Sequence, residues 1–263
     1  MSLVVFSDLD GTLLDHEHYS YAAAKPALNK LRQQNIQLIL ASSKTAMELV
    51  ELRSQMGFSH CPAIVENGAG LLPAEELSTD DLDQSEYQKL LRIISAAPPQ
   101  LRENFSGFAD WSFEEIGRNT GMDALACEKA AARQFSEPGL WSGTPEELQS
   151  YKVWLAANEV TLQQGGRFVT HSFGANKAER MSRILEGYAN QSVAFTSLAL
   201  GDAPNDIAML EAADHGVIVL NPHAQTLPVL PGEQSGQITR TTLPGPQGWN
   251  DAVLSHIAKA TQR

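Results

Sequence analysis

The two ends of the chain alternate short apolar runs with amphipathic stretches. Leu3–Ser7 reads as a buried strand, Ile36–Ala41 as a second and Ala63–Val65 as a short third. Between them, Tyr21–Gln34 gathers Ala27, Leu28 and Leu31 on one side and predicts a helix whose start Pro26 moves inward. Ala46–Met56 predicts a second helix. The pattern returns later as a helix over Lys177–Tyr188, a strand over Ser197–Leu200, a helix over Asp206–Ala213 and a strand over Val217–Leu220. Strands alternating with helices of this length indicate βαβ units and a parallel sheet. Unbroken apolar runs such as Leu38-Ile39-Leu40 fit strands covered on both faces.

The middle of the chain has another texture. From about Asp80 to Ser172 it is largely helical but carries Pro98-Pro99, Trp111, Trp141 and Trp154. Two alternating segments, Glu159–Gln163 and Arg167–His171, flank Gly165-Gly166 and predict a hairpin. The expected fold is therefore α/β: a Rossmann-like parallel sheet core, residues 1–80 and 173–263, with an inserted α+β cap over 81–172. Such an insertion would cover the C-terminal edge of the sheet, where α/β proteins place their ligands. Leu227–Gln247, rich in Pro, Gly and Thr, reads as a surface connection before a final helix, Gly248–Lys259.

Charge narrows the partners. Thirty-one acidic residues against 19 basic ones give a formal charge of −12, which argues against general nucleic-acid binding. An anionic substrate must then be drawn in by local cations and a metal. Cys61 and Cys127 have no metal-ligand spacing and read as reduced thiols. No apolar run approaches a membrane span, and the short run before Asp8 lacks the basic start of a signal peptide, so a cytoplasmic protein is expected.

The chemistry concentrates at strand ends. The first strand runs into Asp8-Leu9-Asp10-Gly11-Thr12, two carboxylates two residues apart. Such a pair shifts its own pKa values unless a cation sits between them, which suggests a metal, a nucleophile and a proton shuttle. A calcium loop or a surface acidic turn would also concentrate acids. A calcium loop, however, follows a helix and carries further acids, whereas Leu13-Leu14 offer no ligands. Ser42 follows the second strand, Lys177 opens a helix, and Gly201-Asp202-Ala203-Pro204-Asn205-Asp206 follows a later strand. Each is weak alone. In this order they resemble the four motifs of the haloacid dehalogenase superfamily of aspartate-nucleophile phosphatases.

That resemblance implies roles. Asp8 would be the nucleophile that forms an aspartyl-phosphate, and Asp10 the acid that protonates the leaving alkoxide and then deprotonates the water. Asp8, the Asp10 main chain and Asp202 would hold Mg²⁺. Asp206, about one helical turn beyond Asp202, and Asn205 beside it would orient metal-bound water or Lys177. Lys177, together with the hydroxyl and N–H of Ser42, would stabilise the transferring phosphoryl oxygens. Among superfamily activities, ion pumps need membrane helices, and dehalogenases have no use for the Mg²⁺ ligands.

Further strings are similar to the mannosyl-3-phosphoglycerate phosphatases. These are Ser42-Ser43-Lys44-Thr45, where many relatives carry Thr-Gly-Arg, then Glu66-Asn67-Gly68, and Gly165-Gly166-Arg167-Phe168 with His171. That family hydrolyses 2-O-α-mannosyl-3-phosphoglycerate to mannosylglycerate, a compatible solute, and phosphate. A small phosphorylated glycoside is the implied partner. Lys44, Glu66, Asn67, Arg167 and His171 become candidate substrate contacts, with Arg167 aimed at the substrate carboxylate. A broader sugar-phosphate phosphatase and a phosphomannomutase remain alternatives. His16 and His18 read as a solvated loop.

Overall fold

The computed structural model of the chain describes residues 2–74, 82–174, 176–189 and 195–261. The expected domain boundary at 80/81 and Ala175 of the Lys177 motif lie outside the described residues. The strands in chain order are β1 (Ser2–Ser7), β2 (Gln37–Ala41), β3 (Ala63–Val65), β4 (Gly70–Leu72), β5 (Phe105–Gly107), β6 (Ser136–Trp141), β7 (Thr161–Gly165), β8 (Phe168–Ser172), β9 (Phe195–Gly201), β10 (His215–Leu220) and β11 (Ile238–Pro244). The chain forms two compact units: Met1–Ser43, Leu52–Glu75 and Asn176–Arg263 in the first, Lys44–Glu51 and Glu76–Ala175 in the second.

The first unit is built on a seven-stranded sheet of order β11-β10-β9-β1-β2-β3-β4, parallel except for β4. Val4 and Phe6 of β1 point to one face, where Ile39, Ala199 and Ile218 join Met181, Ile184, Met209 and Leu210 from two helices. Leu3 and Val5 point to the other face, and both sets are buried. Burial on both faces is why the apolar runs do not alternate. Helices Lys25–Gln33 and Gln247–Thr261 pack together and against strands of this sheet. Pro26 sits in the first turn of its helix, where no amide hydrogen is missed. The segment 227–247 is more than a surface connection. It contains a short helix, Pro231–Ser235, and β11, the outermost strand, parallel to β10. The Asp206–Ala213 helix is shorter than its sequence suggests, with Pro204–Asp206 forming a 3₁₀ turn and Ile207–Ala212 the helix proper.

The second unit has an antiparallel sheet of order β5-β6-β8-β7. Leu90, Ile94, Tyr151 and Leu155 from helices Ser85–Ser95 and Pro145–Ala157 pack with Phe105, Val160 and Val169. Capping boxes start two of its helices, Ser112 with Glu115 and Thr144 with Glu147, each satisfying otherwise unpaired amide hydrogens. The hairpin exists, but its turn is Gly166-Arg167, with Gly166 at φ 57°. Arg167 is therefore a turn residue and not a strand residue. β8 alternates so that Val169 and His171 point inward.

Candidate active site

Three buried carboxylates converge at the carboxyl ends of β1 and β9. Asp8 leaves β1 with its amide hydrogen donated to Leu200 O at 2.9 Å, so the two strands fix its backbone. Asp202 follows β9, and Asp206 sits one turn further on. Asp8, Asp202 and Asp206 each offer an oxygen within 4.8 Å of the others. The Lys177 ammonium, 1 % exposed at the head of its helix, donates to Asp8 Oδ1 at 2.6 Å and to Asp206 Oδ1 at 2.7 Å. The second Asp206 oxygen accepts from the amides of Asp202 (3.1 Å) and Ala203 (3.0 Å). Asp206 thus orients both Lys177 and the turn that carries Asp202.

One ammonium faces three buried carboxylates. Burial raises the Asp8 carboxyl well above its usual range. Lys177 opposes the rise, and Asp206 and Asp202 add to it. Burial also raises Asp202, against the hydrogen bonds from Asn221 and Thr12. Burial would lower Lys177, but Asp206 and Asp8 outweigh it and hold the ammonium above the usual lysine range. Burial does most of this for the acids, and their mutual repulsion adds to it. Hard carboxylate oxygens in that electrostatic setting suit a divalent cation.

The remaining motif residues frame this cluster. Asp10 and Gly11 lie in a tight loop closed by Gly11 N–H to Leu14 O (3.0 Å) and Thr12 N–H to Leu9 O (3.1 Å). Ser42 is buried after β2, but its N–H donates to Ile64 O at 3.0 Å. This corrects the expectation that the Ser42 N–H faces phosphate. Asn67 N–H donates to Ser42 O at 2.8 Å, and Asn205 Nδ2 donates to Asn67 Oδ1 at 2.9 Å. Asn205 thus holds the Glu66-Asn67-Gly68 turn, while Asp206 performs the orienting of Lys177. A Cβ on Gly68 would come within 2.4 Å of Lys177 N, so this turn abuts the start of the Lys177 helix. Arg180 donates to Gly68 O and Ala69 O at 2.8 and 2.6 Å and locks the contact. Glu66 is buried, in the left-handed region at φ 49°.

Lys44, Arg167 and His171 belong to the second unit. Lys44 is half-buried just before helix Ala46–Met56, and Arg167 is exposed, donating to Asn119 O with its guanidinium over Phe168. The expectation that His171 meets the ligand fails. It is fully buried, its Nδ1 3.1 Å from Glu137 O and its Nε2 3.0 Å from the Tyr151 hydroxyl. Both ring nitrogens are taken inside the core.

Three residues to which the motifs assign no role are brought to the site. Thr12 Oγ1 donates to Asp202 Oδ1 at 2.5 Å, and Asn221 Nδ2 to Asp202 Oδ2 at 2.8 Å. Trp249 Nε1 donates to Ser7 Oγ at 2.8 Å, and that hydroxyl donates to Asp8 O at 2.7 Å. Asn221-Pro222 at the end of β10 was the available signal, a polar residue at the sheet edge that carries ligands.

A sequence model of haloacid dehalogenase-like hydrolases matches residues 5–148 and 140–229. The chain belongs to this family. A glucosyl-3-phosphoglycerate/mannosyl-3-phosphoglycerate phosphatase from Methanococcoides burtonii is 30% identical to it, over 98% of both chains. The chain is a phosphoric monoester hydrolase of the haloacid dehalogenase type. Phosphatases of this family generally use a divalent metal, which the buried aspartates fit. Solved structures agree on the fold. The sucrose-phosphatase from Synechocystis sp. PCC6803 superposes with a TM-score of 0.62 at 19% identity, covering 97% of this chain and 98% of that one. A Streptococcus mutans protein gives 0.64 at 18% identity, covering 98% and 100%.

Proposed function

We propose that the chain is a Mg²⁺-dependent phosphatase of mannosyl-3-phosphoglycerate and its glucosyl counterpart, acting through an aspartyl-phosphate on Asp8. The catalytic half of this reading rests on one observation, the cluster of three buried carboxylates, two of which share the Lys177 ammonium. The substrate half rests on the relative aligned over 98% of the chain.

Asp8 attacks phosphorus with one carboxylate oxygen, and the ester oxygen leaves as an alkoxide that Asp10 protonates. Asp10 then takes a proton from the water that hydrolyses the acyl phosphate. Lys177, fixed by Asp206, presents its charge to the oxygens of the transferring group, and the Ser42 hydroxyl adds a donor. Asp8, Asp202 and the Asp10 main chain would hold Mg²⁺. When bound, the ion supplies the positive charge that lets a carboxylate approach a phosphate dianion.

The test is phosphate release with Mg²⁺ from mannosyl-3-phosphoglycerate, glucosyl-3-phosphoglycerate, sucrose 6-phosphate, mannose 6-phosphate and 3-phosphoglycerate, with Asp8→Asn as control. The expected result is a preference for the two glycosyl-phosphoglycerates of about a hundredfold in kcat/KM, roughly 2.7 kcal/mol of discrimination. Equal rates across the panel would retain the phosphatase and reject the substrate. Turnover that needs a bisphosphorylated activator would mark a mutase instead.

A further inference from the structure

We infer that Asn221 is a positioning residue that sets the orientation of the Asp202 carboxylate for the divalent cation. The inference rests on the reading of Asp202 as a ligand of that ion. Asp202 is gripped from two sides by separate stretches of chain. Thr12, from the loop after the nucleophile, donates to Oδ1, and Asn221, from the end of β10, donates to Oδ2. One donor per oxygen fixes the plane of the carboxylate and leaves each oxygen a further lone pair.

The Asn221 amide has a single sensible orientation. Its Oδ1 accepts from His223 N–H at 2.9 Å, so Nδ2 must face Asp202. Reversing the amide would set a carbonyl oxygen against a carboxylate oxygen and leave the His223 N–H facing an NH₂ group. The segment is also held from outside, because the His223 ring stacks on His16 at 4.7 Å between centroids and 15° between planes. His16 is exposed in the loop that follows the nucleophile, as expected, and is also one half of this ring pair. The two loops that grip Asp202 are thereby joined a second time.

Gly11 makes the arrangement possible. It lies at φ +84°, and a Cβ there would stand 2.3 Å from Asn221 Nδ2 and 3.0 Å from Asp202 Oδ2. Any side chain would push the amide off the carboxylate. The glycine between Asp10 and Thr12 thus serves the Asn221 contact as well as the tight turn. A neutral amide is also the right donor chemically. It orients Asp202 without cancelling the charge the cation needs, as a lysine would. Donors behind a ligand commonly tune metal affinity by about ten- to a hundredfold.

The experiment is Mg²⁺ titration by calorimetry, and Mn²⁺ titration by EPR, on the full chain as wild type, Asn221→Ala, Asn221→Ser and Asp202→Asn. Circular dichroism and thermal unfolding check that each variant is folded. Both Asn221 variants are expected to bind the ion about tenfold to a hundredfold more weakly. Their kcat should recover towards wild type as metal is raised, while the metal concentration at half-activity climbs by the same factor. A purely structural role would lower kcat or stability without moving the metal affinity. If wild type binds the ion, Asp202→Asn loses it, and the folded Asn221 variants bind as wild type does, the inference is overturned and the Asp202 assignment stands. If Asp202→Asn binds as tightly as wild type, the assignment itself fails. Should Asn221→Ala not fold, Asn221→Ser, smaller in its change, decides by the same titration.

Discussion

Replacing Lys177 by methionine probes the site through stability as well as catalysis. The ammonium is 1 % exposed and bonds two carboxylates at 2.6 and 2.7 Å. Methionine fills most of the space but leaves Asp8 and Asp206 buried without their shared cation. Breaking a buried pair from one side costs about 3–5 kcal/mol, a large share of the roughly 5–15 kcal/mol that holds a folded domain together. The cost should depend on pH. Burial already raises Asp8, and Lys177 opposes that rise, so its removal raises the carboxyl further. A folded-state pKa above the unfolded one gives stability that is complete below the unfolded carboxylate range and lost as pH rises through the folded pKa. The variant should therefore lie closer to wild type at mildly acid pH than at pH 8. Urea unfolding followed by tryptophan fluorescence in EDTA, at both pH values, reads the effect. Added Mg²⁺ should restore part of the loss, and kcat at saturating Mg²⁺ should fall by about 10²–10³. Equal urea midpoints for Lys177→Met and wild type at pH 8 would mean that Lys177 does not compensate these carboxylates, because an uncompensated buried pair cannot cost nothing.

Other consequences follow from other buried groups. Glu137, fully buried and bonded by Tyr87 and the Ala109 amide, is pushed by burial up to about 7. It favours folding below its unfolded pKa, and that contribution disappears as pH rises through 7. From about pH 4.5 to 8, wild type should lose up to about 3 kcal/mol relative to Glu137→Gln in denaturant titrations, and a pH-independent difference would sink the claim. Its neighbour His171 is lowered by burial to about 4, so it favours folding above its unfolded pKa and loses that contribution as pH falls through 4. The wild-type-minus-variant comparison cancels that opposing trend. Trp249→Phe removes the donor to Ser7 behind Asp8 and some buried volume. Thermal unfolding should show a loss of about 1–3 kcal/mol, and an unchanged midpoint would show that the Trp249–Ser7 link contributes nothing.

The legible parts of the molecule were those where chemistry interrupts a strong pattern. β1 is apolar on both faces, so carboxylates at its end stand out, as does the acidic turn after β9. Lys177 was legible only through its place in the order of motifs; its two ion pairs depend on the sheet bringing β1 beside β9. The missed elements lack pattern. β11 is an edge strand exposed along most of its length, and β6 contains Pro138 and Gly139, which read as breakers. His171 shows the limit of period-two reasoning. Alternation in β8 separates Phe168 and Thr170 from Val169 and His171, but only packing decides that the second pair faces the core. Asn221 is one polar residue at one strand end. Its meaning comes from Gly11 and Asp202, both distant in sequence.

Trapping the intermediate tests the aspartyl-phosphate on Asp8 most directly. Enzyme turning over mannosyl-3-phosphoglycerate with Mg²⁺ would be quenched in acid, reduced with borohydride and mapped by tandem mass spectrometry. Reduction of an acyl phosphate converts its aspartate to homoserine. Homoserine is expected at position 8, dependent on substrate and absent without Mg²⁺. Undiminished phosphate release with Asp8 unmodified and another residue reduced, or none, would contradict it.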